Sequence, residues 1–351
     1  KNKDALIKAI AEEATKETET VKTDFTQIPD LRKPGSFQWE KGAINFNDRV
    51  RNHSLWVDIY LPKLSTQTRK TDNSARPPLI IISHGAAGDR TTFAYLAEHL
   101  ASYGFAVAVV EHPGDSSKLF QQFFSGAANS PQPIELVNRP LEIKFILDEL
   151  TRLEYADPTF QGRLNPQNVG IIGHSVGGYT GLTLAGANIN FEQLKKDCND
   201  NQLINLSMLV QCEAIRLPLS NYAFQDERVK AVLAINPLTS SIFGESEISK
   251  IKIPTMLVAS SDDIFTPPVT EQIQPFTWLT SANKYLVSVE KATHFSFTAT
   301  TGSGANVLPL PTNLIGPDST LARPYISFLS TAFFQTYLAD RTEFRPYLSA
   351  G

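Results

Sequence analysis

Thiols are scarce in this chain of 351 residues, which has two cysteines, Cys198 and Cys212, two methionines and three tryptophans. Two cysteines exclude the disulfide lattice of a small secreted scaffold and any four-thiolate metal site. Fourteen positions apart in a polar segment, they either close one small loop or stay as two buried thiols. A bridge would point to a periplasmic or secreted protein, free thiols to a cytoplasmic one. Long apolar runs are also missing: the longest, such as Phe105–Val110, fall far short of the ~20 residues that span a bilayer. No export signal is visible, and the chain opens at Lys1 rather than Met, which fits a mature or trimmed form. No charge sign dominates, since 32 basic residues against 36 acidic leave a net charge of −4. No basic stripe marks a nucleic-acid partner. No Cys/His/Asp cluster has metal-ligand spacing and no glycine loop has phosphate-binding form, so neither metal nor cofactor is expected.

What is present is a globular composition, 42% hydrophobic and 19% charged, in a βαβ rhythm that predicts an α/β fold. Residues 4–17 read as a short amphipathic helix with Leu6, Ile10 and Ala14 on one face, and residues 18–35 as a linker carrying Pro29 and Pro34. Together, residues 1–36 form an expected N-terminal extension, and residues 37–351 one domain. Residues 37–46 and 55–61 suggest an antiparallel pair, followed by a polar loop over 63–77. Leu79–Ile82 and Ala106–Val110 are short unbroken apolar runs, the pattern of strands buried on both faces. Asp89 is placed to cap a helix over 90–103. A helix over 139–154 carries Leu141, Phe145, Ile146, Leu150 and Leu153 on one stripe. Further strands are expected at 229–235, 255–259 and 285–289, with helices near 269–281 and 320–339, the latter showing Leu321, Tyr325, Phe328, Ala332 and Phe333 at helical spacing. Stretches 114–135 and 188–228 read as insertions and 298–319 as a Gly/Pro/Thr-rich loop. Phe120, Phe123 and Phe124 in the first insertion are expected mostly to pack in the core.

The chemistry centres on Val169-Gly-Ile-Ile-Gly-His-Ser-Val-Gly-Gly178. An apolar run of strand length ends in Gly-x-Ser-x-Gly and a helical stretch follows, the context that turns a weak pentapeptide into a nucleophile elbow. Ser175 would then sit on a strained turn above the sheet, with Gly173 and Gly177 required where side chains would strike neighbouring backbone. A serine hydroxyl needs a base, and the base an orienting carboxylate, in the chain order Ser, acid, His. His294 is the only histidine downstream of Ser175 and follows a strand. Asp262 and Asp263 both follow the strand 255–259 and both qualify as the acid. The oxyanion donors expected are the backbone N–H groups of Val176 and of Ala86, in the Ser83-His84-Gly85-Ala86 loop. His84 reads as a loop-shaping residue, His174 as structural, and Glu111 and His112 as braces for neighbouring loops. Phe265 and Phe295, beside the acid and the base, are candidate substrate-binding residues, so an apolar acyl or alcohol group is expected.

These stretches, with Val110-Glu-His and Asp115-Ser116, resemble the α/β-hydrolase serine esterases over about residues 54–340. The resemblance is greatest to the branch of platelet-activating-factor acetylhydrolases, dienelactone hydrolases and cutinase-like polyester hydrolases. It implies a mostly parallel twisted sheet flanked by helices and a Ser175/Asp263/His294 triad. Asp263 takes the acid role because in the cutinase-like relatives the aspartate precedes a proline by four positions, as Asp263 precedes Pro267. It implies cofactor-free ester hydrolysis through an acyl-enzyme, with aromatic and polyester substrates within range. Serine in place of the dienelactone hydrolases' cysteine favours ordinary carboxylic esters. Lipid deacylation, thioester cleavage and acyl transfer are alternatives on the same triad, and a non-catalytic binding protein is the alternative outside enzymes. The partner expected is a small or lipid-like ester; oligomeric state is left open.

Overall fold

A strand buried on both faces must hand alternate side chains to two different cores. In the computed structural model Leu79 and Ile81 face one core and Ile80 and Ile82 the other, all four fully buried. The structure describes residues 3–20, 28–63, 76–199, 205–299, 308, 310–316 and 318–349. Residues 21–27 of the expected linker, 64–75 of the polar loop, 200–204 of the second insertion and 300–307, 309 and 317 of the long loop lie outside the described residues.

Eight strands form one sheet: β1 (Trp39–Asp48), β2 (His53–Pro62), β3 (Pro78–Ser83), β4 (Ala106–Val110), β5 (Asn165–His174), β6 (Val229–Ile235), β7 (Thr255–Ser260) and β8 (Lys284–Val289). Their spatial order is β1-β2-β4-β3-β5-β6-β7-β8. Strand β2 runs antiparallel to both neighbours and every other pairing is parallel. Helices Glu135–Ala156 and Val176–Leu184 cover one face, and helices Ala94–Ser102 and Arg323–Tyr337 the other. This is the α/β-hydrolase fold. The C-terminal ends of β3, β5, β6, β7 and β8 therefore share one rim, where ligands sit in open parallel sheets.

Several local expectations are corrected. The helix expected over 90–103 spans Ala94–Ser102. Asp89 instead closes the preceding turn, accepting from the Thr91 N–H at 2.7 Å. The stretch 114–135 is not a plain loop, because Ser116 caps a helix over Ser117–Phe124. Phe123 and Phe124 on that helix are exposed, 38% and 50%, rather than in the core. The helix placed at 139–154 begins earlier, at Glu135, and buries Ile143, Ile146, Leu147 and Leu150 while Leu141, Phe145 and Leu153 are only half-buried. The helix near 269–281 is a π turn, Val269–Ile273, leading into Gln274–Trp278. Leu321 and Tyr325, expected on the buried face of the last helix, are exposed. The helix Ser240–Ile248 was not foreseen. The N-terminal helix, Lys3–Thr20, buries no residue, and its Lys3 reaches the Ser261 carbonyl and the Asp262 carboxylate, both at 3.1 Å.

Within 188–228 the chain forms the helices Phe191–Cys198 and Met208–Gln211 and a 3₁₀ turn over Cys212–Arg216. Cys198 and Cys212 are joined in a disulfide. This cap is tied to the sheet through the buried Glu271 carboxylate, which accepts from Asn205 Nδ2 (2.5 Å), Ser207 Oγ (2.8 Å), Gln211 Nε2 (3.2 Å) and Ser240 Oγ (2.5 Å), and from the backbone N–H groups of Thr239 (2.8 Å) and Ser240 (3.0 Å). Removing that acceptor strands several buried donors at once, which is costlier than losing one neutral hydrogen bond. Glu271→Ala should therefore destabilise the fold by about 3 kcal/mol in urea unfolding; a loss below about 1 kcal/mol would show that the cap is held by its apolar contacts and disulfide instead.

Candidate active site

Strand β5 delivers His174 to the rim and helix Val176–Leu184 leaves from it, so one residue must make the whole turn. That residue is Ser175, with φ 55° and ψ −120°. The turn is this tight because backbone touches backbone: a Cβ on Gly173 would lie 2.0 Å from the Gly177 carbonyl oxygen, and one on Gly177 2.1 Å from that of Ser83. The Ser175 side chain lines a cavity of about 120 Å³ together with His294, Ala86 and Val176.

His294 follows β8, and its Nδ1–H donates to Asp263 Oδ2 at 2.6 Å. Asp263 is buried and heavily committed, since it also accepts from the N–H groups of Phe265 (2.8 Å) and Thr266 (2.9 Å) and from Thr266 Oγ1 (2.8 Å). Those bonds fix the carboxylate against rotation and leave the imidazole's other nitrogen, Nε2, as its working edge. Asp262 faces outward, 52% exposed and paired with Lys3. The structure thus brings Ser175, His294 and Asp263 to one place and leaves Asp262 outside it. In this resting geometry no hydrogen bond joins Ser175 Oγ to His294 among the described residues; such contacts commonly tighten only when substrate is bound.

Ala86 and Val176 both line the same cavity. Val176 opens its helix and so has no intrahelical acceptor for its N–H, and neither it nor the Ala86 N–H has an acceptor among the described residues. The Ala86 loop is fixed by its neighbours. The Ala87 N–H donates to the Asp115 carbonyl at 2.8 Å, the His112 N–H to His84 Nε2 at 3.1 Å, and His84 Nδ1–H to the Gly85 carbonyl at 2.7 Å. Arg139, wholly buried, donates to the His84 carbonyl at 2.7 Å and grips both Asp115 oxygens at 2.8 and 2.6 Å. His84 is therefore part of the loop's frame. Glu111 holds Arg90 at 2.9 Å, while His112 bridges Ser83 Oγ at 2.9 Å and Glu142 at 2.6 Å.

His174 points away from Ser175, as its Nε2–H donates to the His294 carbonyl at 2.8 Å. Phe265 and Phe295 each pack 5.3 Å from the His294 ring, and both line the cavity. Sequence reasoning missed Leu238, just beyond β6, and Leu206 and Val210 from the cap, which complete the apolar wall. The only signal for Leu238 was its place after a strand's C-terminal end; nothing in 188–228 pointed to Leu206 or Val210. Phe120, Phe123 and Phe124 do not line the cavity.

Burial, reinforced by the positive charge His294 would carry, pushes His174 down to about 3, and burial likewise holds His84 and His112 below the usual imidazole range. Between about pH 3 and 6.5 the unfolded chain then binds a proton at position 174 that the native chain refuses, so stability rises with pH through that window and is fully present above it. His174→Asn should flatten this slope in denaturant midpoints taken from pH 4 to 7; an unchanged slope would mean that His174 is charged in the native state.

Residues 43–149 match the family Platelet-activating factor acetylhydrolase, isoform II, a stretch that includes the His84–Ala86 loop and ends before Ser175. A platelet-activating factor acetylhydrolase from Cavia porcellus is 23% identical over 314 residues, 81% of this chain and 62% of that protein. The chain thus spans under two thirds of that relative's length. Sheet order and both matches agree, and they mark this chain as similar to the platelet-activating-factor-acetylhydrolase type of α/β-hydrolase serine esterase.

Proposed function

We propose that the protein hydrolyses carboxylic esters through an acyl-enzyme on Ser175. The observation that carries this reading is the His294–Asp263 hydrogen bond at 2.6 Å on the wall of a cavity shared with Ser175 and two unpaired amide N–H groups. In the proposed reaction His294 Nε2 takes the Ser175 proton as Oγ attacks the ester carbonyl. Asp263 holds the imidazole tautomer and stabilises the imidazolium. The Ala86 and Val176 N–H groups receive the negative charge that forms on the carbonyl oxygen, each worth about 3 kcal/mol. His294 returns the proton to the departing alcohol, and water, activated by the same base, releases the acid.

The cavity's size and its Leu206, Val210, Leu238, Phe265 and Phe295 walls favour a short apolar acyl group. The rim supports a lipid-like alcohol part, because Leu206 and Val210, which line the cavity, expose 44% and 38% of their surface. This favours short-acyl lipid esters over polyesters and thioesters, and the name of the relative, an acetylhydrolase, agrees with a short acyl group. No helix among the described residues is long and apolar enough to cross a membrane. The Cys198–Cys212 bridge supports a periplasmic or secreted location.

On p-nitrophenyl esters, two-carbon acyl chains should be turned over faster than chains of ten or more carbons; the reverse order would sink the short-acyl assignment. Ser175→Ala should lower kcat by at least roughly 10⁴-fold and Asp263→Asn by about 10³- to 10⁴-fold, whereas Asp262→Asn should change it less than about threefold. A fluorophosphonate probe should label the wild type on Ser175. No adduct and no turnover would favour a binding protein.

A further inference from the structure

Helix Glu135–Ala156 places Glu135, Asn138, Arg139 and Glu142 at i, i+3, i+4 and i+7, along one face over two turns. Glu135, Arg139 and Glu142 are buried, so three charges enter the protein side by side. Arg139 is matched by Asp115. Glu142 is matched twice, by His53 Nδ1 at 2.5 Å and His112 Nδ1 at 2.6 Å. Glu135 is different. Its Oε1 accepts from Asn138 Nδ2 at 3.0 Å, but its Oε2 is buried with no hydrogen-bond partner among the described residues, on a side chain only 9% exposed. A carboxylate oxygen in that position is costly unless a cation or a proton answers it.

His53 comes from the start of β2 and is the most exposed of this group. His53, Glu135 and Glu142 each offer one ligand atom, and the three atoms lie within 4.8 Å of one another. Ligand atoms around a tetrahedral zinc stand about 3.3 Å apart at bond lengths near 2.0–2.2 Å, a spacing between the 2.5 Å that separates His53 Nδ1 from Glu142 Oε1 and the 4.8 Å within which all three atoms lie. The supporting groups such a site requires are in place: His112 holds the second Glu142 oxygen and Asn138 the second Glu135 oxygen.

We propose that His53, Glu135 and Glu142 bind a divalent transition-metal cation, with zinc the best match to one imidazole, two carboxylates and a fourth position for water. None of the three residues lines the Ser175 cavity, so the site is separate from the proposed esterase centre. Glu135 and Glu142 share one helix face, but His53 lies far from both in sequence, and only the fold brings it to them. On binding, His53 gives up its Nδ1 proton and Glu135 any proton it holds, both to solvent.

The test is isothermal titration of zinc chloride into the full chain, freed of metal with EDTA and of any affinity tag, at pH 7.5, with thermal unfolding followed in parallel. Wild type should take up zinc at this site and unfold at higher temperature with zinc than without. Glu135→Gln and His53→Gln should each weaken that binding more than about 100-fold, beyond the 10–100-fold typical of losing a supporting group, and should abolish the thermal shift. Glu135→Gln removes a buried carboxylate that has one unpartnered oxygen while keeping its shape, so without metal it should unfold no earlier than wild type. His294→Gln should retain the binding. No zinc uptake by wild type, uptake unaffected by Glu135→Gln and His53→Gln, or loss in His294→Gln instead, would each overturn the proposal.

Discussion

The backbone at Ser175 is the constraint on which the site depends. A non-glycine residue at φ 55° costs about 1–3 kcal/mol and persists only where its surroundings leave no alternative. Those surroundings are specific. The Ser175 N–H donates to the Ile235 carbonyl at 2.9 Å, and its own carbonyl accepts from the Tyr179 N–H at 3.1 Å. The first bond extends the β5–β6 ladder one residue past the strand, and the second begins the helix. The residue is thus claimed by both elements, and the hydroxyl is left standing over the rim. Asn236, itself at φ 46°, continues the pattern: its side chain donates to Ser260 Oγ at 3.0 Å and accepts from the Ser260 N–H at 2.9 Å. That cross-link locks the ends of β6 and β7 together, just ahead of the turn that carries Asp263.

Around the His84–Ala86 loop, the proposed oxyanion loop, the ordering forces are ionic rather than apolar. Arg139 reaches Asp115 through two hydrogen bonds and the His84 carbonyl through a third, all without solvent. A buried pair of this kind is weak support for stability, since its desolvation cost rivals its attraction. Its contribution here is direction. Hydrogen bonds fix angles that methyl contacts would leave free, and an amide N–H must aim at the developing oxyanion to within a few tenths of an ångström. Burial keeps His84, His112 and His174 below the usual imidazole range, and there His84 and His112 each use both ring nitrogens while His174 donates to the His294 carbonyl.

The parts legible in the sequence were those governed by short-range rules. Unbroken apolar runs gave β3, β4, β6 and β7 because a doubly buried strand has no polar face to disguise it. Gly173-His-Ser-Val-Gly177 gave the turn because few residue patterns tolerate that backbone. The choice of Asp263 over Asp262 could not come from spacing, as both follow β7; the structure separates them by the Phe265 and Thr266 N–H groups, which bond one and leave the other to Lys3. The helix Glu135–Ala156 was read from its apolar residues, and so its start and its buried charged face were missed. Glu135, Arg139 and Glu142 look like a solvated stripe until Asp115, His53 and His112 arrive from other elements. Leu206 and Val210 were illegible for the same reason. Their place at the cavity depends on Glu271, 65 and 61 positions away along the chain.

That dependence separates two properties of the site. The positions of Ser175, Asp263, His294, Ala86 and Val176 follow from strand ends, and those are set by ladder register across the sheet. The apolar wall of Leu206 and Val210 follows from a cap joined to the body of the protein by side-chain hydrogen bonds, to Glu271 and from the Ser241 and Ile242 N–H groups to Gln211 Oε1, and closed by one disulfide. Ladder register cannot shift by less than a residue, and a one-residue slip turns every side chain to the opposite face. A cap held by side-chain hydrogen bonds is under no such rule of whole-residue steps. The proposed reacting groups are thus tied to strand ends and the shape of the proposed acyl site to the cap, so on this reading residues 205–211 can change which ester fits without moving the atoms that would cleave it.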